Sequence, residues 1–324
     1  MVERTISDEC FSALYVRAIE HVLEHGSPVA PRGLRTIEVR GCVLRLGRPC
    51  TRVLDVPGRV TNPAFAVAEA VWILSGSDAP WIFTYNEQLR RYADNGVLRG
   101  AYGPRIRRWH GEIDQLARVR RLLARDPDSR QAVVQIFDPV RDWAGAQDVP
   151  CTLGHRFFLR DGVLHQHCTM RSQDAWLGLP YDVFSNTVLQ EVMAGWLGVA
   201  VGEYVHSVDS LHLYEHDIEA ANAILAAGSP GGPAAADADV DLSVDAAELD
   251  RVLEATLAGP SPELPDGWRS YAAALASYRC WKEGGHADAM TYTDMVRGPL
   301  RGALQRWYAH LESAESRHRS DTDG

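Results

Sequence analysis

The sequence contains almost no lysine, and it lacks the features of several protein classes. Lys282 is the only lysine among 33 basic residues, and 43 acidic residues bring the formal net charge to −10. An acidic chain is a poor ligand for nucleic acid or for an anionic membrane surface, so we expect neither partner. No run of about 18 or more uncharged apolar residues occurs, which predicts that no segment spans a membrane.

A secretory signal and the spacing of a zinc site are also missing. The N-terminal residues have no basic region followed by an apolar stretch, and the six cysteines are widely scattered. Such a pattern is typical of reduced thiols, so we expect a cytoplasmic protein without disulfides or a bound metal. The chain has 324 residues, 46% of them hydrophobic, which suffices for a large core and excludes a disordered protein.

Hydrophobic periodicity and turn residues predict both strands and helices. A helix is expected over 63–74, where Asn62-Pro63 gives a cap followed by a first-turn proline. A hairpin is expected over 155–170, because Asp161-Gly162 is a strong turn dipeptide between two alternating segments. A long apolar helix is expected over 183–197, ended by a glycine. These elements predict an α+β fold.

Composition divides the chain into four parts. Residues 1–227 mix strands and helices and are expected to form the core that carries the candidate functional residues. Residues 228–245 are rich in Gly, Ala, Pro and Asp, which is typical of a flexible linker or a surface insertion. Residues 246–316 are predicted to be helical and to belong to the same domain, and residues 317–324 to be a frayed tail.

Cys151 is the first candidate for chemistry. It follows Pro150, which restrains the backbone, and a nearby arginine such as Arg130 or Arg171 would stabilise a thiolate. The alternative is a buried, inert thiol, which is the commoner state of a cytosolic cysteine.

Several collinear motifs resemble the thymidylate synthase family from about residue 10 to about residue 220. The motifs are DPDSR at 126–130, Pro150-Cys151, RSQDAWLGLPYD at 171–182, HLY at 212–214, the Tyr102-Gly103 turn and the helix that carries Glu69. The resemblance implies an α+β fold with a mixed sheet and surrounding helices, here with a helical C-terminal extension. It also implies a homodimer that binds a pyrimidine nucleoside monophosphate and the co-substrate 5,10-methylenetetrahydrofolate.

The resemblance assigns the nucleophile and the phosphate-binding arginines. Cys151 matches the residue whose thiolate adds to C6 of the pyrimidine, which makes C5 nucleophilic. Arg171 and Arg130 match phosphate ligands, with Arg130 supplied across the dimer interface. Arg32 matches a mobile phosphate arginine, and Arg35 remains the alternative because the loop alignment is loose.

Other site residues follow from the same resemblance. Ser172 is implied to contact the phosphate, Asp174 to offer its backbone amide to the pyrimidine O2, and Glu69 to orient water near the base. The remaining implied substrate-binding residues are Tyr102, His212 and Tyr214.

Asp182 departs from the asparagine of thymidylate synthases. Uracil presents N3–H and O4, whereas cytosine presents N3 as an acceptor and N4–H as a donor. A carboxyl group suits cytosine, since one oxygen accepts from N4–H and a protonated oxygen donates to N3. Asp182 therefore resembles the base-reading residue of the cytidylate hydroxymethylases in this family. The alternative interpretation is that Asp182 only caps a helix that begins at Val183.

Further departures favour water capture over hydride transfer. Thr152, Met170 and Leu89 stand where the family has histidine, glutamine and a tryptophan near the folate, and no C-terminal closing segment is recognisable. A site that admits water should hydroxylate the methylene intermediate. The sequence thus predicts a 5-hydroxymethyltransferase acting on CMP or dCMP. A C5-methyltransferase on dCMP or dUMP and, more remotely, a non-catalytic nucleotide- or RNA-binding relative remain alternatives.

Overall fold

The computed structural model describes residues 4–143, 145, 148–228 and 240–322, with side chains described up to residue 316. The strands are β1 (Thr5–Asp8), β2 (Ser27–Val29), β3 (Thr36–Leu46), β4 (Val133–Gln135), β5 (Thr152–Arg160), β6 (Val163–Met170), β7 (Gln173–Asp174) and β8 (Ala200–Tyr214). The helices are α1 (Phe11–His25), α2 (Pro63–Leu74), α3 (Tyr102–Arg107), α4 (Gln115–Arg125), α5 (Pro139–Asp142), α6 (Gly178–Leu197), α7 (Ile218–Ala226), α8 (Leu249–Ala258), α9 (Asp266–Lys282), α10 (His286–Met295) and α11 (Pro299–Thr322).

One mixed sheet organises the described residues. Its order is β1-β3-β8-β6-β5-β4, while β2 pairs with β3 and β7 with β8. The β3–β8 and β5–β6 pairs are antiparallel, whereas β8 runs parallel to β6 and to β7. Helices pack around this sheet, which confirms the predicted α+β class.

The β5–β6 hairpin confirms the turn predicted from sequence. Arg160 pairs with Val163, and the two residues between them have positive φ, 51° at Asp161 and 74° at Gly162. Such a two-residue turn matches the right-handed twist of the strands, and glycine and aspartate tolerate the left-handed backbone it needs. The turn fixes the register of β5, whose first residue follows Cys151.

Helix α2 begins and ends where the sequence indicates. The Asn62 side chain accepts a hydrogen bond from the Phe65 amide at 3.1 Å, and its Nδ2 donates to the Tyr85 carbonyl at 2.9 Å. Pro63 occupies the first turn, where its missing N–H costs nothing. The helix is buried except for Glu69, which is partly exposed.

Helix α6 begins five residues earlier than the sequence predicts. The sequence prediction relied on the apolar run that begins at Val183, whereas the helix itself begins at Gly178. Pro180 lies in the first turn, where a helix tolerates proline. Asp182 therefore lies inside the helix, and the interpretation that it caps a helix starting at Val183 is wrong. The helix ends, as predicted, at Leu197, and Gly198 with φ 66° caps it.

The C-terminal helices pack on the same core as α2 and α6. Trp268 and Tyr271 of α9 are fully buried, and the Tyr271 ring stacks on Phe184 of α6 with centroids 6.0 Å apart. Helix α10 lies within the part predicted to be helical, between the periodic segments 268–283 and 295–315, although its own apolar residues show no helical periodicity. Of the expected linker 228–245, residues 229–239 lie outside the described residues. Helix α11 continues to Thr322, and the last two residues of the expected frayed tail also lie outside the described part.

Within the described ranges, no helix combines the length and the apolar character that crossing a membrane requires.

Candidate active site

A cavity of about 760 Å³ collects residues from the sheet, from α2 and α6, and from the C-terminal helices. Its volume lies in the range of small-molecule binding sites. Six of the residues expected from the resemblance line it: Glu69, Tyr102, Cys151, Ser172, Asp174 and Asp182. Leu89 and Met170, which differ from the family pattern, line the cavity as well. Thr152, the third such residue, is buried outside it.

Cys151 lies immediately before β5, at the wall of the cavity. The Arg171 amide donates to the Cys151 carbonyl at 2.9 Å, which joins the start of β5 to the end of β6. Burial raises the pKa of the Cys151 thiol, and the nearby Asp182 raises it further, while Arg171 and Arg32 lower it. Burial is the largest of these effects, so the arginines do not by themselves produce the thiolate that the sequence led us to expect.

The four candidate arginines differ in what they contact. The Arg171 guanidinium donates to the carbonyls of Pro150 (2.9 Å) and Val149 (2.8 Å), so it holds the segment that leads to the cysteine. Arg32 is exposed and acts electrostatically on the cysteine, whereas Arg35 is paired with Glu215 at 2.9 Å.

Arg32 is consequently a better phosphate candidate than Arg35, whose guanidinium already has a carboxylate partner. Arg130 is exposed in the loop after α4 and does not line the cavity. An exposed arginine in that place is available to a second subunit.

Asp182 faces the cavity from the second turn of α6. Its Oδ2 accepts a hydrogen bond from Gln173 Nε2 at 2.9 Å. Burial raises the pKa of Asp182 to about 6, the Gln173 hydrogen bond opposes that shift, and Asp174 adds to it. The carboxyl can therefore be protonated near neutral pH at a small cost, because one pKa unit corresponds to about 1.4 kcal/mol.

Glu69 approaches the same cavity from α2. Its Oε2 accepts from the Ser185 hydroxyl at 3.2 Å. Burial raises the pKa of Glu69 to about 8, and the negative charge of Asp182 contributes to the rise. Burial also raises the pKa of Asp148, which lines the same cavity. Carboxyl groups with raised pKa values in one cavity are typical of acid–base chemistry.

The end of β8 brings the remaining expected residues close to β7. Asp174 pairs with His212 in the parallel β7–β8 ladder, and the His212 and Tyr214 rings meet edge to face at 5.3 Å. The Asp174 carboxylate accepts from the Trp176 and Leu177 amides at 2.8 and 3.0 Å and thereby shapes the turn before α6. His212 and Tyr214 lie beside the cavity residues in the sheet but do not line the cavity.

Sequence reasoning missed the contribution of the C-terminal helices. Tyr278 and Lys282 of α9 and Trp307 of α11 line the cavity, and the Tyr278 ring stacks on Tyr85 at 5.7 Å. The sequence signal for this contribution was the unique lysine, because the only lysine side chain in the sequence lies at this cavity. Gln173 was also missed, since its role depends on the register of β7.

No group of three or more metal-ligating side chains occurs in the part of the chain that the structure describes. The cavity offers a thiol and several carboxyl groups to a small polar ligand. Arg59 is the only arginine among the described residues that line it, whereas Arg171 and Arg32 lie outside the lining.

Comparisons with known proteins identify the family of this chain. The thymidylate synthase family model matches residues 13–236. The chain is also similar to a deoxyuridylate hydroxymethyltransferase of Bacillus phage SP01, with 37% identity over 227 residues that cover 66% of this chain. The chain spans 59% of the length of that relative. The family match covers more than half of the chain and includes every residue of the cavity that carries a thiol or a carboxyl group, so we conclude that this chain belongs to the thymidylate synthase family.

Proposed function

We propose that the protein transfers a one-carbon unit from 5,10-methylenetetrahydrofolate to C5 of CMP or dCMP, and that water completes the product as 5-hydroxymethyl-CMP or 5-hydroxymethyl-dCMP. The observation that carries this proposal is Asp182, a carboxyl group with a raised pKa in the cavity that also contains Cys151 and Glu69. In its neutral form this carboxyl is both donor and acceptor, which is what the N3 and N4 edge of cytosine requires.

Cys151 forms a covalent bond to C6 in this mechanism. The electron pair of the C5–C6 double bond moves through C4 to N3, where the neutral Asp182 carboxyl can donate its proton. Because burial keeps the thiol protonated in the free protein, the thiol proton must pass to water in the cavity as the bond forms. Arg171 and Arg32 favour that step, since both lower the pKa of the thiol.

The cavity walls fit the folate as a co-substrate. Trp307, Tyr278 and Trp72 supply aromatic surface, and Lys282 supplies one positive charge to a glutamyl carboxylate. The bound folate supplies the methylene carbon. Tyr278 and Trp307 would hold the ring system, while the polar wall with Asp182 holds the nucleotide.

Glu69 is the residue that activates water. Its ionised form accepts a proton from a water molecule, and the Ser185 hydroxyl keeps its carboxylate oriented. Before that step, C5 bonds to the methylene carbon of the folate while N3 returns its proton to Asp182. Loss of the C5 proton to water and cleavage of the carbon–nitrogen bond to tetrahydrofolate then leave an exocyclic methylene on C5. The water oxygen bonds to that methylene carbon, the electron pair re-forms the C5–C6 double bond, and the Cys151 thiolate leaves C6. The net change is one hydroxymethyl group on C5 and release of tetrahydrofolate.

The nucleotide phosphate binds to arginines from two subunits in this proposal. Arg171 and Arg32 come from the subunit that carries the cysteine, and Arg130 comes from a second copy in a homodimer. The exposure of Arg130 and Arg32 supports that assignment.

The SP01 relative supports hydroxymethyl transfer, but its name specifies deoxyuridylate rather than cytidylate. Deoxyuridylate is therefore the competing substrate. Methyl transfer to dCMP or dUMP is the competing reaction, and oxidation of the folate to dihydrofolate distinguishes it.

One assay tests the substrate and the reaction together. The protein is incubated with the folate and with CMP, dCMP, UMP or dUMP, and products are identified by mass. We expect hydroxymethylated cytidine nucleotide and no growth of dihydrofolate absorbance. A product from UMP or dUMP alone, or dihydrofolate formed in step with product, would contradict the proposal.

The nucleophile is tested by tritium release from C5 of the nucleotide. Because exchange requires the thiol to add to C6, Cys151→Ala should lower the rate by about 10⁴-fold or more. Cys42→Ala is the matched control, since Cys42 is a buried thiol outside the cavity. Equal exchange by Cys151→Ala and the wild type would show that Cys151 is not the nucleophile.

A further inference from the structure

Four buried polar side chains form a continuous hydrogen-bonded row that ends on Asp182. Asn186 Nδ2 lies 3.0 Å from the Tyr204 hydroxyl, which lies 2.7 Å from His206 Nδ1. His206 Nε2 lies 2.9 Å from Gln173 Oε1, and Gln173 Nε2 lies 2.9 Å from Asp182 Oδ2. We call Asn186, Tyr204, His206 and Gln173 the Asp182 chain.

Every hydrogen bond in the Asp182 chain has one direction. Burial lowers the pKa of His206 to about 3 and holds the pKa of Tyr204 well above its usual value, so the imidazole is neutral and the phenol keeps its proton. The Asn186 amide can only donate to the Tyr204 oxygen. Of the two other neighbours of the phenol, a neutral imidazole nitrogen at 2.7 Å is a stronger acceptor than the Cys168 sulfur, so the phenol donates to His206 Nδ1. The one remaining imidazole proton is then on Nε2 and is donated to Gln173 Oε1.

The direction of these bonds fixes the Gln173 amide. With Oε1 accepting from His206, the Nε2 group must point at Asp182. Rotating the amide would face donor against donor and leave buried polar groups unpaired, because Gln173 is only 2% exposed and His206 is fully buried. Such a penalty corresponds to a factor of about ten or more in population.

A neutral carboxyl group without a fixed partner cannot distinguish cytosine from uracil. Its proton can reside on either oxygen, so the group can present donor and acceptor in either order. A hydrogen bond donated to one oxygen removes this ambiguity, because an oxygen that carries the proton is a poor acceptor. Gln173 makes Oδ2 the acceptor and confines any proton on Asp182 to Oδ1.

We propose that Gln173, held by the Asp182 chain, is the positioning residue that determines which pyrimidine base the cavity accepts. This inference rests on the proposed function. With N4–H of cytosine at Oδ2 and N3 at the protonated Oδ1, both hydrogen bonds are made. Uracil in the same position would place O4 against the acceptor and N3–H against the donor.

The test compares kcat/KM for CMP with that for UMP, and for dCMP with that for dUMP, in wild type and variants. Gln173→Met removes the donated hydrogen bond at similar volume, and we expect the preference for cytidine nucleotides to fall by about tenfold or more. Tyr204→Phe leaves Gln173 in place but removes the donor to His206, so we expect a smaller fall. Tyr308→Phe is the matched control, because its hydroxyl makes an equally buried hydrogen bond, 2.7 Å from Ser277, outside the Asp182 chain.

A second readout does not depend on turnover. In the ¹⁵N-labelled wild type, we expect the imidazole spectrum of His206 to show the neutral form with its proton on Nε2. In Tyr204→Phe we expect a mixture of the two neutral forms, since no donor then selects one of them. A wild-type spectrum with the proton on Nδ1 would overturn the inference.

The outcomes separate this inference from the proposed function. A cytidine preference that stays within twofold of wild type in folded Gln173→Met overturns the inference and leaves the function in place. A wild type that prefers uridine nucleotides overturns the proposed substrate. If Gln173→Met then weakens that uridine preference tenfold, the positioning role of Gln173 stands with the base reversed.

Discussion

Asp182 and Glu69 are the two residues whose protonation states the proposed reaction needs in opposite forms. Asp182 has a pKa of about 6 and must be neutral to serve cytosine, whereas Glu69 has a pKa of about 8 and must be ionised to accept a proton from water. The reactive form is therefore a minority of the free protein at every pH. Its population rises with pH up to about 6, stays level between about 6 and 8, and falls above about 8.

The first prediction concerns the alkaline side of this profile. The population of the reactive form falls above about pH 8, near the pKa of Glu69. Glu69 is already ionised there, so the fall reflects the continuing loss of the proton from Asp182. Asp182→Asn keeps a neutral group at this position, so we expect its kcat/KM to remain level above pH 8 while wild type falls about tenfold per pH unit. The measurement is kcat/KM for CMP between pH 5 and pH 10.

Glu69→Gln supplies the complementary control for that profile. Its residual activity should be level below about pH 6 and fall above it, because only Asp182 then titrates. If Asp182→Asn and wild type lost activity equally above pH 8, the acid role of Asp182 would be wrong.

At the scale of elements, a buried ion pair connects α3 to α5. Arg105 donates to both carboxylate oxygens of Asp142, at 2.8 and 2.6 Å, and to the carbonyls of Ile136 and Arg99. Helix α3 begins at Tyr102, which lines the cavity, so the pair also positions one side of the site.

Breaking this pair should destabilise the protein strongly. Arg105→Met leaves the Asp142 carboxylate buried without its partner, and we expect the free energy of unfolding to fall by about 3–5 kcal/mol. Replacing both residues, as Arg105→Met with Asp142→Leu, should recover part of that loss, because no unpaired charge remains. Chemical denaturation measures the free energy of unfolding of the single and the double variant. A double variant less stable than Arg105→Met would show that the unpaired charge is not the cause of the loss.

The cap of α2 allows a second measurement at this scale. Asn62→Ala removes the hydrogen bond to the Phe65 amide and the one to the Tyr85 carbonyl, so we expect a loss of about 1–2 kcal/mol. Asn62→Ser keeps an oxygen that can accept from the Phe65 amide and should lose less. Both variants are measured by thermal and chemical unfolding. If Asn62→Ala and Asn62→Ser lost the same free energy of unfolding, the cap would contribute little.

The elements show how far the sequence predicts this fold. Asn62-Pro63 and Asp161-Gly162 define their helix start and turn through local chemistry, and the structure has both there. The start of α6 was misplaced because the signal came from the apolar run after Asp182, while the turn before it depends on the Asp174 carboxylate. The contact between Gln173 and Asp182 follows from the pairing of β7 with β8, which no local pattern reports.

At the scale of the whole molecule, one apolar core includes α2, α6 and the C-terminal helices. Trp268 of α9 is fully buried in it, and its indole N–H donates to the Leu242 carbonyl at 3.0 Å. Residues far apart in sequence thus depend on the same packing.

Shortening Trp268 should therefore weaken the part of the molecule that contains the cavity. We expect Trp268→Ala to cost about 3–5 kcal/mol and to lower the thermal midpoints of helix content and of nucleotide-binding capacity together. Trp143→Ala is the matched control, since Trp143 is 77% exposed, and it should change stability by no more than about 0.5 kcal/mol. Separate midpoints for the two signals in Trp268→Ala would argue against a shared core.

The single lysine has a practical consequence. Lys282 is exposed at the rim of the cavity, and apart from the terminal amine the chain has no other primary amine. An amine-reactive fluorophore applied above pH 8 would therefore attach to one internal position without any engineered change. Quenching by Trp307 or Trp72, both at the same cavity, would then report the arrival and departure of the nucleotide, whose proposed binding does not use the Lys282 charge.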